Sequence, residues 1–255
     1  MTGDQLRRST RRVWKRIAII GGSIIVVLGT VAALIASGTV WPNDLFAKDY
    51  AVRGVDVSSY QGTIDWGELS KEGIDFAYIK STEGSGDQDE YFARNWDAAN
   101  RTHLLVGAYH FLSFESSGEA QADNIITTVP KTSGALPVVV DVEFYADFFS
   151  NHPSRERVRS ILDPLLERLT EYYGVPPILY ATQEPYDLYL RDAYPNDPIW
   201  IRSVLTPTTL SDGRPWTMWQ YSNRERLRGY SGPEEFIDMN VFRGSLEDLR
   251  KLTAP

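Results

Sequence analysis

A chain of 255 residues, 42% hydrophobic and 12% aromatic, has enough apolar material for one large packed domain, which excludes extensive disorder. It holds no cysteine and three histidines, His103, His110 and His152, which excludes disulfides and thiolate zinc sites and argues against a histidine-rich metal centre. The net charge of −8 is uneven: Arg7, Arg8, Arg11, Arg12, Lys15 and Arg16 against Asp4 give the first 16 residues +5 and leave −13 for the rest, an acidic body unsuited to a nucleic-acid groove.

Directly after the basic cluster, nothing from Ile17 to Asn43 is charged. Roughly 20 apolar residues cover a hydrocarbon core of ~30 Å, so this run is long enough to span a bilayer and meet membrane lipid. The flanking arginines orient it with the N-terminus in the cytoplasm. The expected organisation is a cytoplasmic tail at 1–16, a transmembrane anchor at 17–40, a linker at 41–52 and an external domain at 53–255. A cleaved signal peptide with secretion is the alternative, because "LIAS" offers small residues; the run exceeds the ~7 to 15 residues of a signal's apolar core, which favours the anchor.

Beyond the linker, short apolar runs alternate with amphipathic stretches, the pattern of βα units. Eight runs read as strands: "RGVDVS", "DFAYIKS", "LLVGAYHF", "LPVVVDVE", "PPILYAT", "PIWIRS", "WTMWQYS" and "FIDMNVF". Helices are expected at 65–71, 90–101, 118–127 and 154–173. The last has Ser154 placed to cap it, apolar residues at helical spacing from Val158 to Leu169, and Gly174 to stop it. The later intervals are short and proline-rich. The fold class expected is therefore α/β, an irregular TIM-like (β/α) barrel preceded by one transmembrane helix.

In such a barrel the C-terminal strand ends carry the site. Those ends supply Asp56, Glu83, His110, Asp141, Glu143, Tyr180, Arg202, Gln220 and Asp238. Strands ending near water account for any one polar residue, but not for Asp238 inside an aromatic and aliphatic run. Asp141 and Glu143 stand at i and i+2, on one face of a strand with Cα atoms about 6.6 Å apart. Two carboxyls this close push one pKa up and leave the other low, which separates an acid from its partner. Paired carboxyls of this kind also serve retaining glycoside hydrolysis, and a calcium-binding or capping pair is the plainer reading. Trp66, Tyr109, Phe111, Tyr145, Trp200, Trp216, Trp219 and Tyr221 cluster near the same ends; most belong to a core, while a few suit sugar faces.

Taken together, "RGVDVSSYQGTIDW", "GIDFAYIKSTEG", "VGAYHFLSF", "GEAQADN", "LPVVVDVE", "WTMWQYS" and "IDMNVFRGSLEDL" run in order from Arg53 to Leu249. This set resembles the muramidases of glycoside hydrolase family 25, the group that includes the Chalaropsis-type lysozyme. The resemblance implies an irregular β/α barrel cleaving the β-1,4 bond between N-acetylmuramic acid and N-acetylglucosamine in peptidoglycan, without cofactor or metal. It implies Glu143 as general acid, Asp141 as its partner, and Asp56 and Asp238 as flanking acids. Tyr60, Gln61, Tyr109, Trp219 and Gln220 match residues lining the family's groove, and Glu83, His110, Tyr180 and Arg202 join them by position. The route implied is retaining and substrate-assisted, with direct attack by Asp141 as the alternative. One departure stands out: "IWIRSVLTP" carries Arg202, Ser203 and Val204 where the family commonly has a Trp-x-Ala-x-Tyr pattern. The rival readings are a non-catalytic wall-binding protein, against which the retention of all four acids speaks, and a related chitin-cleaving barrel, whose Asp-x-x-Asp-x-Asp-x-Glu signature is absent. The combination points to a tethered bacterial wall-remodelling enzyme. Its oligomeric state is not legible.

Overall fold

The structure, a computed structural model, describes residues 3–37 and 41–255. The chain divides into two compact units, Met1–Pro42 and Asn43–Pro255. In the first, helix α1 spans Gly3–Ala36, and its segment Trp14–Ile35 is long and apolar enough to cross a membrane. The last residues of the expected anchor, 38–40, lie outside the described residues.

The second unit starts earlier than the linker at 41–52 allowed. Asn43 is fully buried and donates through its side-chain amide to the carbonyls of Ser203 at 2.7 Å and Tyr221 at 3.0 Å. It leads into a single turn, α2 (Asp44–Ala47). The backbone from Asn43 onward is thus folded, because a buried amide needs these acceptors and the barrel supplies them.

Eight strands close into a barrel: β1 (Val52–Val57), β2 (Phe76–Glu83), β4 (Leu105–Phe111), β5 (Val139–Val142), β6 (Ile178–Thr182), β7 (Ile199–Arg202), β8 (Met218–Glu225) and β9 (Ile237–Phe242). A two-residue strand, β3 (Asp87–Gln88), folds back on β2. All eight expected runs form strands, and closure comes from β1 pairing with both β2 and β9. Strands β1 to β8 in the barrel run parallel, but β9 is antiparallel to both β8 and β1. The connection from β8 to β9 contains no helix, and a parallel return requires a crossover of a dozen or more residues, usually helical.

The helices cover the outside. They are α3 (Trp66–Leu69), α4 (Phe92–Ala99), α5 (Gly118–Thr128), α6 (Arg155–Tyr173), the turn α7 (Gln183–Pro185) and α8 (Leu246–Arg250). On α6, Ser154 caps the N-terminus by accepting from the Arg157 N–H, and Gly174 ends the helix at φ +83°; a left-handed C-cap of this kind favours glycine. Its buried stripe is Val158, Ile161, Leu162, Leu165, Leu166, Leu169 and Tyr173. α6 meets α5 so closely that a Cβ at Gly118 would collide with the Ile161 carbonyl.

Strand alternation divides the core in two. Outward residues such as Val140, Val142, Ala108 and Ile201 join the helices in one cluster. Inward residues fill the lumen: Phe76, Tyr78, Val139, Ile178, Trp200, Met218 and Phe242. Gly107 is a lumen position where a Cβ would sit inside the Tyr78 ring, so a glycine there makes room for the aromatic plug. Above that plug the lumen opens to the C-terminal rim.

Candidate active site

The rim encloses a cleft of about 730 Å³, within the range of small-ligand sites. The sequence "VVVDVE" is explained by it. Val139 packs in the lumen, Asp141 stands one layer above, and Glu143 lies just past the end of β5, while Val140 and Val142 point to the helices. The carboxylates therefore do not interrupt a buried strand; they continue its inward face upward into the cleft.

Asp56 sits at the centre of a hydrogen-bond network. Gln220 Nε2 donates to its two carboxylate oxygens at 3.0 and 3.1 Å, and Asn240 Nδ2 donates to Oδ1 at 2.6 Å. Tyr180 in turn donates its hydroxyl to Gln220 Oε1 at 3.0 Å, and Trp200 donates its indole N–H to Asn240 Oδ1 at 3.0 Å. Each amide is thereby held in one orientation, with its N–H groups aimed at Asp56. Asp238 lies directly across the β1–β9 ladder from Asp56. It reaches this rim from the N-terminal end of its strand, not the C-terminal end expected, because β9 runs the opposite way.

Burial raises the pKa of all four acids. At Asp56 the amide donors from Asn240 and Gln220 oppose that rise. At Asp238 the charge of Asp56, which it faces across the ladder, adds to burial, and the carboxyl is pushed well up. Asp141 is also pushed well up, by burial and then by Glu143 and Asp56. Glu143 is raised by burial and by Asp56, with Arg202 pulling it back. Asp141 Oδ1 is buried with no hydrogen-bond partner, and Glu143 makes no hydrogen bond among the described residues. Two protonatable carboxyls with open valences thus face one cleft. Burial and the surrounding carboxylates also keep the Tyr109 and Tyr180 hydroxyls protonated.

The cleft brings together Asp56, Tyr60, Gln61, Glu83, Tyr109, Asp141, Glu143, Tyr180, Arg202, Gln220 and Asp238. Two expected members are elsewhere. His110 follows the inward Tyr109 and so points outward, where it is fully buried against Thr82 and Gln121. Trp219 precedes the inward Gln220 and points outward too, donating to the Ser203 carbonyl at 2.9 Å and packing against Tyr50, Trp216 and Tyr221.

With this geometry in view, the chain can be set beside known proteins. It matches the model for glycosyl hydrolases family 25 over residues 55–230. The chain belongs to that family. A family 25 glycosyl hydrolase from Bacillus anthracis is 56% identical, with a TM-score of 0.77 over 80% of this chain and 94% of that one. The bacterial lysozyme from Streptomyces coelicolor is 32% identical, with a TM-score of 0.72 over 80% of this chain and 97% of that one. Lysozyme M1 of Streptomyces globisporus is 32% identical over 81% of this chain and 72% of its own length.

This family 25 glycosidase has further cleft residues that sequence reasoning did not name as site members: Lys80, Arg224, Glu234 and, behind Asp56, Asn240. Asn240 was findable, since it stands two residues beyond Asp238 on the same strand face. Lys80 was not. A register shift between Lys80 and Thr82 lets Lys80 and Glu83, three apart, share the cleft and pair at 2.7 Å; a regular strand would put them on opposite faces. Phe111, Tyr145 and Trp200 are the noted aromatics that line the cleft along with Tyr109, whereas Trp66, Trp216 and Tyr221 do not.

Proposed function

We propose that the enzyme is an N-acetylmuramidase that hydrolyses the β-1,4 bond between N-acetylmuramic acid and N-acetylglucosamine in peptidoglycan, with retention at the anomeric carbon. The observation that carries this reading is the pair Glu143 and Asp141, both with carboxyls raised by burial and both lining the cleft. Its family relatives from Streptomyces, named as lysozymes, support the substrate class.

Glu143, its carboxyl pKa raised by burial, donates to the glycosidic oxygen as the bond to the anomeric carbon breaks. Charge developing on the sugar is met by the substrate's own 2-acetamido oxygen, which closes on the anomeric carbon. Asp141, which lines the cleft, accepts the acetamido N–H on its carboxyl and orients that group for attack. Water then attacks the anomeric carbon, Glu143 takes back the proton, and the acetamido oxygen leaves. Asp56, held by Gln220 and Asn240, and Asp238 fix the floor beneath the sugar. Direct attack by Asp141 would leave a covalent adduct on that residue instead.

Glu143→Gln keeps the shape and removes the proton, so turnover of purified peptidoglycan should fall by about 10² to 10⁴ fold. Wild-type and variant protein are compared on peptidoglycan and on chitin, with the fresh anomer read by NMR. Activity of the variant within tenfold of wild type sinks the assignment, and cleavage of chitin alone moves the substrate.

The basic residues before Ile17 and the apolar segment Trp14–Ile35 support a membrane-tethered form with the glycosidase outside, where the wall lies.

A further inference from the structure

Six acids and three cations line the cleft. Two of the cations are engaged. Lys80 pairs with Glu83 at 2.7 Å and stands over the Phe111 ring. Arg224 stands over the Phe236 ring. Arg202 differs: half-buried at the last position of β7, its side chain forms no hydrogen bond, ion pair or ring contact among the described residues, yet it lines the cleft. Its neighbours across the ladder are Thr182 and Gln220, which places it beside the amide that holds Asp56. A guanidinium carries five N–H donors and no acceptor, and withdrawing it from water is costly unless an acceptor meets it.

We infer that Arg202 is a specificity-determining residue that binds a carboxylate carried on the sugar itself, the free lactyl carboxylate of a muramoyl unit from which the peptide stem has been removed. The inference rests on the muramidase reading above and adds to it the form of the substrate. A muramoyl ring bears one ionisable group, the carboxyl of its 3-O-lactyl ether. When a peptide stem is attached that carboxyl is a neutral amide; hydrolysis of the amide by a separate amidase releases the stem's amine and leaves a carboxylate. A carboxylate entering a cleft lined by six acids is disfavoured unless a cation receives it, and Arg202 is the lining cation whose side chain has no partner among the described residues. The planar fork suits a carboxylate through two parallel N–H···O bonds, whereas an amide offers one neutral oxygen. The charge of Arg202 also reaches Asp56, Asp141, Glu143 and Asp238, so a substrate anion on it would sit close to the reacting bond. The reaction that supplies the preferred substrate is therefore amide hydrolysis between lactyl group and peptide.

The test uses three substrates: peptide-free glycan strands, the same strands with the lactyl carboxyl converted to a primary amide, and intact peptide-bearing peptidoglycan. The readout is the ratio of kcat/KM for carboxylate over amide strands, in wild type, Arg202→Gln and Arg202→Lys, with Tm as a check on folding. Wild type should prefer the carboxylate strands by about tenfold or more, the increment expected of a charge-assisted contact, with the difference mainly in KM because the contact is present before and during bond cleavage. Arg202→Gln should bring the ratio close to one, whatever happens to absolute rates, and Arg202→Lys should fall between, keeping charge but losing the fork. A ratio near one in wild type, or an unchanged ratio in Arg202→Gln, overturns the inference while leaving the muramidase reading intact. If wild type cleaves none of the three substrates, the muramidase reading itself fails.

Discussion

At the scale of single residues, the site works by keeping carboxyls in an environment that opposes their charge. That arrangement has a stability signature whose sign can be worked out. Asp238 has a folded pKa raised by burial and by Asp56, so above its unfolded value the native state holds a proton that the unfolded chain has lost. Stability therefore falls as pH rises from about the ordinary aspartate value of 3.9 toward the raised one, and the penalty persists above it. Asp238→Asn removes the penalty and keeps an N–H to face Asp56. Its Tm should exceed that of wild type by a few degrees at pH 7, a common yield of relieving strain in an active site, and the two should converge near pH 4 in a thermal-melt series. Equal melting temperatures at pH 7 would show that the carboxyl is not held against its charge. On the proposed mechanism turnover should fall less than in Glu143→Gln, since there Asp238 supports Asp56 and Glu143 delivers the proton.

At the scale of elements, the eight strands and four longer helices were legible because hydrophobic period and turn residues repeat along the chain, as on α6 with Ser154 before it and Gly174 after. The acid pair on β5 was legible for the same reason. Strand parity was equally available and rules out two of the expected cleft residues: Tyr109 and His110 are adjacent on β4, Trp219 and Gln220 on β8, and adjacent strand residues face opposite sides. The direction of β9 and the bulge that joins Lys80 to Glu83 were not legible, since both depend on pairing between distant segments. His110 shows what its outward position does. Gln121 Oε1 accepts from the Ser113 N–H at 2.9 Å while Gln121 Nε2 donates to the Ser113 and Ser116 carbonyls, so the imidazole Nε2–H donates to Oε1 at 2.9 Å and Nδ1 accepts from the Thr82 hydroxyl at 2.8 Å. Burial lowers the His110 pKa from 6.5 to about 4. The stability it contributes is present above pH 6.5 and lost as pH falls through that window, because there the unfolded chain binds the proton and the native state does not. His110→Phe should cost about 1–3 kcal/mol by removing the imidazole partner of the buried Thr82 hydroxyl and of Gln121 Oε1, flatten the loss of stability between pH 6.5 and 4, and leave kcat of the folded protein near wild type. A large fall in kcat with normal Tm would return His110 to the catalytic site.

At the scale of the whole molecule, the open question is where the glycosidase is held, because place decides which wall layers it can reach. Isoleucine, valine and leucine side chains of α1 are broadly exposed, among them Ile25 at 71% and Val26 at 67%, and a contiguous apolar surface of this extent on a 22-residue segment calls for either lipid around it or its removal. Both outcomes spare the barrel, since the second compact unit begins at Asn43 and anchors its own start through the Asn43 amide. Fold stability therefore does not discriminate between them. The length of the apolar run, beyond the ~7 to 15 residues of a signal's apolar core, favours the anchor. The six basic residues before Ile17, within the ~15 to 20 residues of a span that govern orientation, put the tail inside. The expected form is a single-pass protein with its tail inside and the barrel outside. Protease added to intact wall-stripped cells should remove the barrel and leave an N-terminal tag protected, and the full-length protein should sediment with membranes. A mature N-terminus near Ser37, or activity recovered only from the medium, would establish secretion through a cleaved signal and detach the enzyme from its producer's own envelope.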